Sequence, residues 1–196
     1  MLKTHSHLGW LVGMIACVLL SACDVVKLDS NGKPIIPMSA ADAASIKNMS
    51  PEALADKFWP DIVQEANQKA LTLDSLTQLS GKANRFIKLS GTVKGIDSET
   101  KTATMVVRAS SSEVTLQIGP IIRGNSIRDA ASFIEFDQFK NQVQFARLSK
   151  QLNKKAMASF PYPDTSWTGK KVEVIAAVTV SNHKITEAIP IEITQR

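Results

Sequence analysis

Cysteine and histidine are scarce in this chain, and most of them lie near its start. The two cysteines are Cys17 and Cys23, and two of the three histidines, His5 and His7, also precede residue 24. The rest of the chain therefore has no disulfide, no thiol nucleophile and no cysteine-based zinc site. His183 is its single histidine, so the partner types that Ser–His, Cys–His and zinc chemistry need are scarce or missing there.

Aromatic residues and runs of like charge are also few. Aromatics make up 6% of the 196 residues, and the formal charge is +5, yet the densest basic groups are the pairs Lys154-Lys155 and Lys170-Lys171. A basic stripe interleaved with aromatics is missing, which argues against a nucleic-acid partner. The scattered charge is typical of a solvated surface, and attraction to anionic lipid headgroups is the next interpretation.

An apolar leader opens the chain and ends at a cysteine. The run from Leu8 to Leu20 is shorter than the roughly 20 residues that span a bilayer, and it has the length of a signal-peptide core. The sequence Leu20-Ser21-Ala22-Cys23 resembles the lipobox of bacterial lipoproteins. This resemblance implies a signal peptide over residues 1–22 and a diacylglyceryl group plus an acyl chain, such as palmitate, on Cys23.

The lipobox resemblance also implies a location. Asp24, directly after Cys23, resembles the signal for retention at the inner membrane. We therefore expect a lipid anchor on the periplasmic face of the bacterial inner membrane, with the outer membrane less favoured. Several acyl chains give a stable anchor, whereas a single chain gives a marginal one.

Residues 23–49 are predicted to be the lipidated cysteine and a tether, and residues 50–82 a helical segment. Ser50-Pro51-Glu52 is a typical helix start, and apolar residues then recur at helical spacing as far as Leu79. Pro60 should kink or restart this helix. Phe58 and Trp59 have two interpretations, as packing onto the following domain or as an aromatic contact for a partner.

Residues 85–196 are predicted to form one domain, because strand periodicity recurs on both sides of a long amphipathic helix. The helix is expected from a cap at Asp137 to about Ala158, with Val143 and Ala146 on its apolar side, and a bulge is expected at Gly91 or Gly95. The fold class is mainly β with α: an OB-like, five-stranded antiparallel barrel with an inserted long helix, preceded by an N-terminal helix. The predicted strands are Arg85–Ile96, Ala103–Ala109, Glu113–Ile118, Lys171–Val180 and Ile185–Ile193.

The stretch from Gly119 to Asp129 is the candidate site of this domain. One hypothesis is that two arginines there clamp an anion such as a carboxylate or phosphate, with nearby glycine N–H groups and an amide assisting. The alternative is structural, with one arginine pairing with an acid and the other tying the loop to the helix. The candidate ligand- or partner-binding residues are Arg123, Gly124, Asn125, Arg128, Asp129, Phe58 and Trp59.

Three segments together resemble a family of predicted bacterial periplasmic lipoproteins of unknown function. They are Phe58-Trp59-Pro60, the run from Ile118 to Ala130, and the run from Phe133 to Gln142. Members of this family look like neighbours of sugar ABC-transporter genes, which implies a role near solute uptake. The family has no assigned chemistry, so the resemblance supplies no catalytic residues.

We therefore expect a membrane-anchored, non-enzymatic accessory to solute uptake, with an ABC transporter or its solute-binding protein as partner. The alternative is a domain that binds or senses a small anionic ligand. Oligonucleotide binding is disfavoured, because the barrel strands carry only Phe86 for base stacking. Carboxylate pairs lie in turns and helix starts, where Asp is usually a cap. No catalytic residue, metal or cofactor is predicted.

Overall fold

The computed structural model describes residues 40–76, 78–79, 81–110 and 112–196. The predicted signal peptide, Cys23 and most of the predicted tether lie outside these residues. Helix α1 (Ala40–Asn48) falls within residues 23–49, which the sequence analysis assigned to the anchor and tether. Its Ile46 is fully buried, so the folded unit begins earlier than the composition indicated.

Helix α2 (Pro51–Lys69) begins as predicted, because the Ser50 side chain accepts a hydrogen bond from the backbone N–H of Ala53 at 3.2 Å. It continues through Pro60 without a restart and ends well before Leu79. The chain leaves the helix because the backbone of Leu71 pairs with the first strand of the sheet. Its N–H donates to the carbonyl of Phe86, and its carbonyl accepts from the N–H of Lys88. A short helix α3 (Leu73–Leu76) follows, and its leucines pack against the sheet interior.

The described residues form one curled, five-stranded antiparallel sheet, as predicted, with the strand order β3-β2-β1-β4-β5. Its longest strand, β1, pairs with β4 along its first part and with β2 along its last part. The register shift falls between Val93 and Gly95, so the bulge lies at the second of the two predicted glycines. The edge strands β3 and β5 contact each other, which curls the sheet toward a barrel. The strands are β1 (Lys82–Asp97), β2 (Thr104–Ala109), β3 (Ser112–Gln117), β4 (Lys171–Ser181) and β5 (Lys184–Gln195).

Both faces of the central sheet are buried, which gives the domain two apolar clusters. Inside the curl, Val174, Ala176 and Val178 of β4 pack with β1, β2 and β3. On the outer face, Ile175 and Ala177 of the same strand pack against helices α2 and α5. β4 therefore reads as a nearly continuous apolar run, as strands covered on both faces do.

Between β3 and β4 the chain forms a short helix α4 (Ser126–Ala130), a 3₁₀ turn (Phe136–Gln138), helix α5 (Gln142–Ala158) and a second 3₁₀ turn (Thr165–Trp167). The predicted cap at Asp137 is wrong, because Asp137 lies within the 3₁₀ turn. The helix is capped by Asn141, whose side chain accepts from Gln144 N–H at 2.9 Å. Among the described residues, no helix is both long and apolar enough to cross a membrane.

Candidate functional site

The stretch from Gly119 to Asp129 starts with a close approach between two backbone segments. The N–H groups of Ile118 and Gly119 donate to the carbonyl of Ala103, and Ile121 N–H donates to Lys101 O at 3.0 Å. A side chain at Gly119 would overlap this backbone. The glycine is therefore explained by packing against the β1–β2 connection rather than by ligand access.

A single side chain holds the middle of the loop. The Gln117 amide donates to the carbonyl of Arg123 at 2.9 Å and accepts from the N–H of Arg123 at 2.9 Å. The Gln117 side chain is therefore the hydrogen-bond partner of both backbone polar groups of Arg123. The side chains of Ile121, Arg123 and Asn125 are exposed to solvent, Ile121 to 45%.

A carboxylate from β5 fixes the end of the loop. Glu187 accepts hydrogen bonds from the Ser126 N–H, at 2.8 Å, and from the Ser126 hydroxyl. The network continues to Thr179, at 2.8 Å from Ser126 Oγ, and from Thr179 to Asn84 at 2.7 Å. Three strands and the start of α4 are therefore joined through one largely buried polar chain, which favours a single loop geometry.

Gly124 lies where this network requires a glycine. Its φ of +102° is one that residues with side chains rarely adopt, and an added Cβ would overlap the Glu187 carboxylate. Its carbonyl accepts from the buried Asn153 side chain of α5 at 3.1 Å. These contacts explain why position 124 is a glycine without reference to the predicted ligand-binding role.

Arg128 is buried, with only 7% of its surface exposed. Its guanidinium donates to Asp129 at 2.7 Å and to the carbonyl of Phe145 at 3.1 Å, and it lies 3.7 Å from the centre of the Phe145 ring. These contacts correspond to the structural alternative, in which an arginine of the loop pairs with an acid. Arg123 remains on the exposed side, so the two arginines do not form the predicted anion clamp.

Phe58 and Trp59 belong to the helical side of the core. Phe58 is 3% exposed, and its ring contacts Phe133 and Phe139 edge to face at 5.9 and 6.4 Å. Trp59 is half-buried against the same cluster. Phe58 therefore packs inside the domain, and only part of the Trp59 ring is accessible to a partner.

The structure also exposes apolar residues that the sequence analysis placed inside. Val143 and Ala146 were expected on the apolar side of the long helix, but both are exposed, Val143 to 57%. Phe136 is exposed to 54%, and its ring lies 5.3 Å from that of Phe145. The buried face of the helix is instead formed by residues such as Leu148, Leu152 and Ala156, which pack in the cluster that covers the sheet.

Two carboxylates, the exposed Asp164 and the partly buried Glu173, have perturbed titration. Hydrogen bonds from the Ser166 hydroxyl and N–H lower the pKa of Asp164, and a hydrogen bond from Arg196 lowers the pKa of Glu173. Neither the Ser166–Asp164 contact nor the Arg196–Glu173 contact involves a residue of the stretch from Gly119 to Asp129. In the described part of the chain, no three His, Cys, Asp or Glu side chains are grouped to hold a metal ion.

A small depression lies between α3, β1 and the β2–β3 turn. Its volume is about 150 Å³, and polar side chains such as Thr72, Lys88 and Ser90 line much of it. Pockets for small organic ligands usually enclose about 300–1,000 Å³ behind mostly apolar walls. Its size and lining do not match such a pocket, and none of the predicted site residues lines it.

The fold is that of a small OB barrel with added helices. The chain is similar to the crystal structure of an OB-fold protein from Thermotoga maritima, with a TM-score of 0.50 and 16% identity, over 76% of this chain and 100% of that one. No curated protein matches the chain. At this identity the likeness shows the fold alone.

The particular family follows from the sequence match. Residues 75–194 match the model of the family described as predicted periplasmic lipoprotein, DUF2291. The chain belongs to this family of periplasmic lipoproteins. The resemblance noted from the three sequence segments is thereby confirmed, and so is the OB-like fold.

Proposed function

We propose that this lipoprotein is a non-enzymatic accessory to solute uptake, anchored through Cys23 to the periplasmic face of the inner membrane. Its partner would be an ABC transporter, one for sugars by the family resemblance, or the solute-binding protein that serves it. The observation that carries the proposal is the loop from Gly119 to Asp129. Its backbone is held in one geometry while Ile121, Arg123 and Asn125 face solvent.

A loop held in this way suits protein docking. Gln117 and Glu187 hold its middle and its end, so little conformational freedom is left to lose when a partner binds. Arginine is among the residues that contribute most at interface centres, where it combines charge with a flat apolar surface. Ile121, two residues away, adds an exposed apolar contact.

The contacts of Arg128 favour a protein partner over a small anion. An anion clamp needs two free guanidinium groups, and that of Arg128 is already bonded to Asp129 and Phe145. Arg123 retains its exposed position, but one exposed arginine holds a small anion only weakly in water. A broad protein surface can use Ile121 and Arg123 together.

The test is a mild-detergent pull-down from native membranes, followed by mass spectrometry. The docking variant is Ile121→Ser with Arg123→Ala, and the control is Tyr162→Ser with Lys170→Ala, which changes an exposed apolar and a basic residue elsewhere. Surface changes of this kind shift stability by only about 0.5 kcal/mol. We expect transporter subunits or a solute-binding protein with wild type and control, and roughly tenfold less with the docking variant.

Two outcomes would contradict the proposal. One is equal recovery of transport components by both variants, which would place docking away from the loop. The other is recovery of no transport component by the wild type. Arg128→Ala is not used as a docking variant, because loss of its buried contacts would reduce stability and binding together.

A further inference from the structure

The exposed face of α5 carries only positive charge. The helix contains four basic residues and no acidic one. Arg147, Lys150 and Lys154 are exposed and recur at helical spacing in line with Val143, so they lie on one face. Lys155 differs, because it is half-buried and paired with Asp56 of α2. We call Val143, Arg147, Lys150 and Lys154 the basic stripe.

An exposed apolar side chain, Val143, lies at the N-terminal end of the basic stripe, with 57% of its surface accessible. Phe136 is also exposed, but its ring packs edge to face on Phe145. Phe145 is two residues from Val143 and therefore lies on the other side of the helix, so Phe136 is not part of the stripe. An exposed aliphatic group next to lysine and arginine is a feature of helices that lie on a membrane surface.

The acidic groups near the stripe are few. Glu135 and Asp137 flank Phe136 and are exposed, so they reduce the positive charge at that end, whereas Lys140 adds to it. On α2, Glu52 accepts from Gln151 and Asp56 pairs with Lys155. Positive charge is therefore concentrated from Arg147 to Lys154, beyond the apolar end.

The last turn of α1 lies at the N-terminal end of α5. The Gln144 amide donates to the carbonyls of Ile46 and Met49 at 3.0 and 2.9 Å, which fixes these two helix ends to each other. Residue 40, where α1 begins, is 17 residues from Cys23. That length of chain reaches at most about 60 Å when fully extended, so lipidation at Cys23 keeps the basic stripe at a high effective concentration near the bilayer that holds the anchor.

We propose that the basic stripe binds the anionic phospholipid surface of the membrane that holds the anchor. Its three cationic side chains supply attraction to phosphate headgroups, and Val143 enters the headgroup layer. The stripe shares no residue with the loop at Ile121 and Arg123. The inference depends on lipidation at Cys23 but not on a transporter partner.

The experiment uses the full-length, lipidated protein, purified from membranes and inserted into vesicles without other proteins. A polarity-sensitive dye is attached to a cysteine introduced by Gln142→Cys, an exposed position at the start of α5. Brominated phospholipids in the vesicles quench the dye only when it approaches the bilayer. We expect quenching on vesicles with phosphatidylglycerol, weaker quenching on pure phosphatidylcholine, and loss of the difference at high salt.

Charge reversal provides the matched comparison. Lys150→Glu with Lys154→Glu is expected to lower the bilayer-bound fraction roughly tenfold or more. Lys94→Glu with Lys101→Glu makes the same change of charge on the barrel, where both lysines are exposed, and should leave quenching unchanged. Circular dichroism of both variants checks that the fold is retained.

Three results would overturn the inference. One is equal quenching on anionic and neutral vesicles. Another is equal quenching in the two charge-reversed variants. The third is a dye response that occurs only when native membrane proteins are added, which would show that the stripe binds a protein. Failure of the pull-down at the loop leaves this vesicle measurement unaffected, so the two proposals fail separately.

Discussion

Arg123 and Arg128 show how differently two similar residues of one short loop are used. Both were candidates for the same anion site. Arg128 is buried, because α4 places its guanidinium beside Asp129 and above the Phe145 ring. Arg123 is exposed, because Gln117 takes both of its backbone groups and leaves the side chain in solvent. Local sequence could not separate them, since the Phe145 contact spans 17 residues.

Gly124 gives a prediction at the scale of one residue. Gly124→Ala would strain a φ of +102° and also push a methyl group into the Glu187 carboxylate, which holds Ser126. We expect a loss of about 2–4 kcal/mol in the free energy of unfolding, measured by chemical denaturation. Gly169→Ala is the control, because its φ of +84° is also left-handed but no atom lies within 4 Å of the added Cβ.

The control should cost only about 1–2 kcal/mol, the usual penalty of a side chain in a left-handed conformation. Equal losses in the two variants would contradict the account, since they would show that the Glu187 side chain moves aside at no cost. The comparison thus separates backbone strain from the disruption of the buried polar chain.

At the scale of elements, α1 and α5 depend on each other. The Gln144 side chain accepts from Lys140 N–H at 2.8 Å and donates to two carbonyls at the end of α1. A helix of nine residues is not stable alone in water. α1 therefore depends on its contacts with the rest of the unit, including the burial of Ile46.

Gln144→Ala should release this contact. We expect a loss of about 1–2 kcal/mol in stability, because the carbonyls of Ile46 and Met49 and the N–H of Lys140 lose their partner. Hydrogen–deuterium exchange should become faster in α1 while the sheet remains protected. Gln142→Ala, an exposed change in the same helical turn, should stay within about 0.5 kcal/mol. Unchanged exchange in α1 after Gln144→Ala would show that other contacts hold it.

At the scale of the whole molecule, two surface carboxylates predict the response to acid. Hydrogen bonds from Arg196 and from Ser166 lower the pKa values of Glu173 and Asp164 in the folded state. Their stabilising effect is therefore complete above the unfolded pKa values, near 4, and is lost as the pH falls through the lower folded values. Asp164 is exposed and Glu173 is only partly buried, so solvent screens both contacts and the effect is small.

Thermal unfolding measured between pH 7 and pH 2.5 checks this expectation. The unfolding midpoint should change little from pH 7 to about 5 and fall below about 4. Arg196→Ala should make the fall shallower, because it removes the contact that joins the end of β5 to β4. Gln195→Ala is the neighbouring control. A midpoint that rises on acidification would contradict the predicted direction.

The strands of the sheet and the helix between them were predictable because strand and helix periodicity are local. The five strands, the helix between β3 and β4, and the Ser50 cap of α2 each have a pattern in neighbouring residues. The errors arose where two patterns overlap. Leu73, Leu76 and Leu79 continue the spacing of α2, but they pack against the sheet interior as a separate segment. Pairing of Leu71 with β1 decides this, and it is a long-range contact.

The sequence by itself determined the family, the order of the five strands with α5 between β3 and β4, and the class of predicted lipoprotein, because short motifs and side-chain periodicity carry that information. Only the tertiary structure decided which residues of the loop are structural and which face of α5 is exposed. Glu187 and Asn153 hold the loop, yet they lie 61 and 29 residues from their partners and have no local signal. Contacts at such separations depend on how the curled sheet and α5 pack, so they become known only when the whole chain is folded.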